Sequence, residues 1–197
     1  MSISKSIVAS VTGALVGRGE LEPGAAVCDL LPKLHDTAWD GCTLQHLMDM
    51  RGGIQFDESN EDPGSDLYVY EQIYQWRPLW QDLPTDIRDY MAAVPADRAH
   101  GGEFRYQSIL TDMLGWVLEA VTGRRLADLI AELIWVPMGA EADAEMTVDR
   151  HGNAHADGGI SATLRDVGRL GELWREGGAW GDAEIVPRQW IERTLSP

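Results

Sequence analysis

A chain of 197 residues with 44% apolar content can bury one sizeable core, and it carries 32 acidic against 16 basic residues, a formal charge of −16. That balance repels nucleic-acid phosphates and anionic membrane surfaces, and no run approaches the roughly 18 apolar residues of a helical membrane span. Nucleic acid is excluded as a partner, and the composition is neither disordered nor fibrous.

Residues 4–17 predict a first helix, because Ile7, Val8, Val11, Leu15 and Val16 recur at helical spacing in a nearly uncharged segment that ends at "GRG". The turn "LEPGAAV" leads into an amphipathic stretch ending near His35. In "WDGCTLQHLMDMRGG", Thr43 is placed to cap a helix with Leu44, Leu47, Met48 and Met50 on its buried side, and Gly52 and Gly53 read as its stop. "FDESNEDPGSD" has the content of an exposed loop, with Asp57, Glu58, Glu61 and Asp62 as a solvated acidic run that could also form one lip of a cleft. "LYVYEQIYQWRPLW" supplies aromatic surface, mostly for the core, with a fraction left to line a groove.

The clearest helical stripe lies at 109–123, with Ile109, Met113, Val117 and Val121 beside Leu110, Leu114 and Leu118, closed by Gly123. "LADLIAELIWVPMG" predicts a further helix stopped by Pro137, and "EMTVD" a short strand before the turn "RHGNAHADGG". Thr163 caps another helix and Pro187 opens the last. The expected count is about seven helices against one or two strands, in one domain over 1–197, with no internal repeat. Cys28 and Cys42, 14 residues apart, have no metal-type spacing and read as reduced core residues.

Chemistry enters at the start. Only two of the 16 basic residues are lysines, Lys5 and Lys33. Residues three apart share a helical face, so Ser2 and Lys5 stand side by side at the first turn. A serine hydroxyl attacks a carbonyl when a neighbour takes its proton, and a lysine serves once burial leaves its amine neutral. The positive end of the helix favours the oxyanion that forms. A serine near a helix start is more often a cap, and Ser4 and Ser6 are decoys of the same kind.

Read together, "SISKS", "WDGCTLQHLMDMRGGI", "FRYQSILTDMLGWVLEAVTGRRLADLIAELIWVPMGAE" and "ADGGISATLRDVGRLGELWREGG" resemble, in this order, the serine β-lactamase-like hydrolases: class C β-lactamases, D-alanyl-D-alanine carboxypeptidases, related esterases and the 6-aminohexanoate-oligomer hydrolases. "ISKS" with "GGISATLRDVGRLG" points to the last branch. The resemblance implies Ser2 as acylated nucleophile, Lys5 as its proton acceptor and Tyr106 as a second acid/base group sharing protons with Lys5. Ser108 takes the third place of a Y-x-N motif that here reads Y-Q-S, and Gly158 and Gly159 form the glycine-rich turn at the substrate. It implies no cofactor and a small amide or ester substrate: a 6-aminohexanoate-oligomer-like amide, an ester or a β-lactam.

The resemblance also implies an α+β fold, β-lactamase/transpeptidase-like, with a helical region and an antiparallel sheet built from both ends of the chain. This sequence starts at the nucleophile and carries neither the sheet strands nor the third motif, so the expectation is a mostly α-helical, truncated domain. Its first helix would then expose an apolar face and invite self-association.

Other readings stay open. Tyr106 could pack with its hydroxyl on a backbone carbonyl, and Gly158 and Gly159 could only permit a tight turn. His151 and His155 form H-x3-H, but Gly152 and Asn153 break the helix that would align them on a metal, and none is expected. The chain could be an inert helical fragment acting through protein association, or Ser2 could become an N-terminal nucleophile after loss of Met1. The compartment is left open with cytoplasm as the default, since any leader would lie upstream of Met1.

Overall fold

The computed structural model describes residues 2–59, 62–79 and 83–196. Helix α1 (Ile3–Gly17) forms where the apolar spacing predicts it. Helix α2 (Val27–Leu30) and a tight 3₁₀ turn at Pro32–Leu34 make up the next stretch. Thr43 caps α3 (Leu44–Met48) through a reciprocal box, its hydroxyl accepting from His46 N while His46 Nδ1 accepts from Thr43 N. This helix ends at Met48, ahead of Gly52 and Gly53, so those glycines are not its stop.

Ser65 and Asp86 cap α4 (Asp66–Ile73) and α5 (Ile87–Ala93), each accepting from a first-turn amide. Helix α6 (Ile109–Thr122) is the buried centre, closed by Gly123 in the left-handed conformation at φ 66°. Its stripe is core as far as Leu118, but Val121 is 38% exposed, one turn beyond the enclosed part. Helix α7 (Leu126–Ile130) widens into a π turn at Ala131–Trp135 before Pro137. Thr163 caps α8 (Leu164–Arg175), and α9 (Arg188–Leu195) follows Pro187.

Among the described residues, four two-residue strands replace the one or two expected. Antiparallel β1 (Glu145–Met146) and β2 (Ile160–Ser161) bracket the "RHGNAHADGG" turn, while β3 (Ala179–Trp180) and β4 (Ala183–Glu184) form a separate hairpin. Among the described residues no helix is long and apolar enough to cross a membrane.

Helix α1 packs on α6 and α7, and Ile7, Val8, Val11, Ala14 and Leu15 are all buried. Its expected bare face is covered, because the C-terminal segment folds back over it. Trp190 Nε1 donates to Ala9 O at 3.1 Å and Trp174 Nε1 to Ser10 Oγ at 2.9 Å. A Cβ on Gly13 would fall 2.4 Å from the Trp190 ring, so only glycine admits that indole.

Cys28 and Cys42 are buried and free, as expected of core residues. Burial pushes both thiols up to about 12. Iodoacetamide at pH 8 should therefore leave the native chain unmodified and add two groups after unfolding, as read by intact mass. Rapid alkylation of folded protein would contradict this packing.

Candidate active site

Ser2 stands at the N-terminus of α1, and Lys5 follows one turn on the same face. Tyr106 comes from the other side of the cleft. Gln107 is buried and its Nε2 donates to Ile54 O at 3.0 Å, which pins the Y-Q-S segment to the 54–56 strip. Arg105 N donates to Met50 O at 2.8 Å, fixing the residue before Tyr106 as well.

These supports bring the expected triad together: Ser2 Oγ lies 2.7 Å from Tyr106 Oη, and Lys5 Nζ lies 3.3 Å from Ser2 Oγ. Tyr106 is 42% exposed, so its hydroxyl faces the open cleft, not a backbone carbonyl. The Lys5 side chain is only 12% exposed. A groove of about 700 Å³ runs from Lys5 past Ala9, Met48, Phe104 and Trp174.

Ser108 is buried, and its Oγ lies 3.3 Å from Lys5 Nζ and 3.2 Å from Glu58 Oε2. Its hydroxyl accepts from the ammonium and donates to the carboxylate. Glu58 also accepts from Ser108 N, so this residue leaves the solvated run expected of it and turns into the site. Burial pushes its carboxyl up, against the opposing pull of the two Ser108 hydrogen bonds. Asp57 and Asp62 remain exposed, and Glu61 lies outside the described residues, as does Trp80 of the aromatic stretch. Within that stretch Tyr70 and Tyr74 are core, whereas Trp76 is 45% exposed.

Gly158 and Gly159 are buried in the turn beneath Lys5. A Cβ on Gly159 would fall 2.6 Å from His155 Cβ, so close approach demands glycine there, whereas Gly158 meets nothing nearer than 3.6 Å. Ser4, one of the decoys, accepts from Ile160 N at 3.0 Å and ties the same turn to α1.

The residues missed from sequence lie in this turn. Lys5 Nζ donates to Asp157 O at 2.9 Å and lies 3.2 Å from Asp157 Oδ2. His155 Nε2 is 2.6 Å from Asp157 Oδ1, with its ring stacked 3.8 Å from that of Tyr74. Asp112, fully enclosed in α6, accepts from Ala156 N and from Asp157 N at 3.0 Å. A signal was available: an aspartate in the first turns of the most apolar helix needs partners, and "HADGG" supplies them.

Burial opposes the charge on Lys5, but the Asp157 carboxylate and the Tyr106 oxygen outweigh it, so the ammonium holds its proton more tightly than an ordinary lysine. Burial likewise opposes ionisation of Asp157, yet His155 and Lys5 hold its carboxyl well below the usual range. Burial and the Asp157 charge push Asp112 well above it. Asp112, His155 and Asp157 do bring three donor atoms within 4.8 Å of one another, the grouping a metal would need. Asp112 is engaged by two backbone amides and Asp157 by Lys5. His151 sits apart on the surface, 3.2 Å from Thr85 Oγ1.

The profile of the family described as Beta-lactamase matches residues 1–196. The chain belongs to the beta-lactamase family. Within that family it is 33% identical over 196 residues to the 6-aminohexanoate-dimer hydrolase of Paenarthrobacter ureafaciens, covering 100% of this chain and 50% of the relative. It is 32% identical over 150 residues to esterase EstB of Burkholderia gladioli, covering 70% and 36%. A Bacillus anthracis structure provisionally assigned as a 6-aminohexanoate-dimer hydrolase superposes with TM-score 0.88 at 25% identity, over 98% of this chain and 51% of the other. The beta-lactamase-like fold and the resemblance to the 6-aminohexanoate-oligomer hydrolases therefore both stand, for a chain spanning half the length of the first of these relatives, or less of the second.

Proposed function

We propose that the chain carries the nucleophile half of a serine hydrolase that forms an acyl-enzyme on an amide or ester. The observation behind this reading is the cluster of Ser2 Oγ, Tyr106 Oη and Lys5 Nζ at a helix N-terminus, with separations of 2.7 and 3.3 Å from the serine oxygen. Lys5 and Tyr106 share protons, so the pair takes up the Ser2 proton in its once-deprotonated form, through the Tyr106 oxygen that touches Ser2.

The Ser2 oxygen attacks the carbonyl carbon while its proton passes to Tyr106, and the oxyanion develops near the positive end of α1. Collapse breaks the bond to the leaving amine or alcohol, which takes the proton from Tyr106. Water then attacks the acyl carbon by the same route reversed and frees Ser2. Ser108 orients Lys5, and the turn with Gly158 and Gly159 supplies the floor beneath it. The relatives' names support an amide of the 6-aminohexanoate-dimer type or an ester as substrate, with β-lactams as a further test class.

The experiment is a fluorophosphonate serine probe followed by peptide mapping. A single adduct on Ser2 is the expected result. Absence of an adduct on folded protein, or an adduct on another serine, would overturn the assignment.

A further inference from the structure

We propose that Asp157, seated by Asp112 and His155, is the positioning residue that holds Lys5 as a cation beside Ser2 and Tyr106. The inference deepens the reading above and rests on it. Asp157 meets the ammonium twice, through its backbone oxygen at 2.9 Å and its carboxylate at 3.2 Å, and it is the charged group in direct contact with Lys5. The remaining partners, Ser2 and Ser108, are neutral hydroxyls at 3.3 Å.

The groups facing this pair come from every surrounding element. Tyr106 lies on the cleft side, with its ring centroid 5.1 Å from Nζ. Glu58, from the 55–65 loop, reaches Lys5 through Ser108. Behind Asp157 stand His155 of the same turn, Asp112 of α6, Tyr70 of α4 and Tyr74 just past its end. The seat is polar on one side and aromatic on the other. Asp112 grips the turn through two consecutive amides, which seats the Asp157 carboxylate against Lys5.

A charge held at hydrogen-bond distance in a dry site favours the ammonium by one to several pH units. Removing it while keeping the shape, as Asp157→Asn does, lets burial pull the Lys5 titration down. The amine then loses its charged anchor, and its alignment on Ser2 and Tyr106 loosens.

Two lysines in the chain make the test direct. With lysine labelled at Cε with ¹³C, Lys5 and Lys33 give two resonances, and Lys33→Arg assigns them. The wild-type Lys5 midpoint should lie above the ordinary value of about 10.4, and Asp157→Asn should lower it by about one unit or more. In parallel, kcat for a chromogenic ester at pH 7 should fall about tenfold with KM nearly unchanged, a split that a merely structural loss does not produce. An unchanged Lys5 midpoint and an unchanged pH–rate profile in a folded Asp157→Asn chain would overturn the proposal. Should that variant not fold, the wild-type midpoint decides, since a value below about 10.4 overturns the proposal and one above supports it. If Ser2→Ala leaves hydrolysis undiminished, the nucleophile assignment fails instead, and the Lys5 titration still reads the role of Asp157.

Discussion

Tyr106→Phe should lower kcat/KM for ester hydrolysis by about 10³-fold, within the 10²–10⁴ range of a positioned acid/base group, while leaving thermal stability unchanged. The two effects separate because of where the side chain sits. Its ring is 42% exposed and its hydroxyl contacts Ser2, so removing the oxygen deletes the proton acceptor without opening the core. The loss should fall on kcat more than on KM. The same variant should label with the fluorophosphonate probe correspondingly slowly, since that reaction also needs an unprotonated serine oxygen. A loss smaller than about tenfold would transfer the base role to Lys5, as a neutral amine.

Gly53→Ala should destabilise the chain by about 3 kcal/mol or more, lowering Tm by roughly 6–12 °C for a domain of this size. A Cβ there would fall 2.1 Å from Arg98 O, a backbone atom with no rotamer in which to retreat. Gly53 is also a junction: its carbonyl accepts from Asp97 N and Arg98 N, and its amide donates to His100 Nδ1 at 2.9 Å. Burial holds His100 below the ordinary histidine value, which keeps the ring neutral, with Nδ1 accepting and Nε2 donating to Ala38 O. Because the 95–106 stretch ends in Tyr106, the variant should lose activity along with stability. Gly168→Ala provides the opposite sign: its Cβ meets nothing within 4 Å in exposed α8, so it should stabilise by up to about 1 kcal/mol. Thermal unfolding of the two variants beside wild type checks both, and equal shifts would contradict the close-approach account.

The pair of glycines shows where sequence reading reached and where it stopped. Local signals were legible: Thr43, Thr163 and Gly123 act at helix ends as their types predict, and the stripe from Ile109 to Leu118 is the core. Gly52 and Gly53 read as a helix stop because a glycine's tolerance of unusual backbone is a local property. Their actual cause is two segments crossing 45 or more residues apart, which no local pattern encodes. The nucleophile face was legible for the opposite reason, since Ser2 and Lys5 are one turn apart. Tyr106, 104 residues from Ser2, came from the resemblance alone. Asp157, Asp112 and Glu58 were missed because each matters through burial, and an acidic side chain in a loop reads as solvated until the fold encloses it.

The cover over α1 sets a clock on the site. The helix that bears Ser2 is held by Trp174 and Trp190, and the Trp190 contact closes over 181 residues. A ribosome adds about 5–20 residues per second, so α1 emerges roughly 10–35 s before the indole that covers Ala9 and Gly13. During that interval its apolar face is available to chaperones, and Tyr106, Asp157 and the last tryptophan reach Ser2 in that order. Ser2 is thus synthesised before the groups that surround it, and the cluster closes only once Tyr106 and Asp157 have joined it.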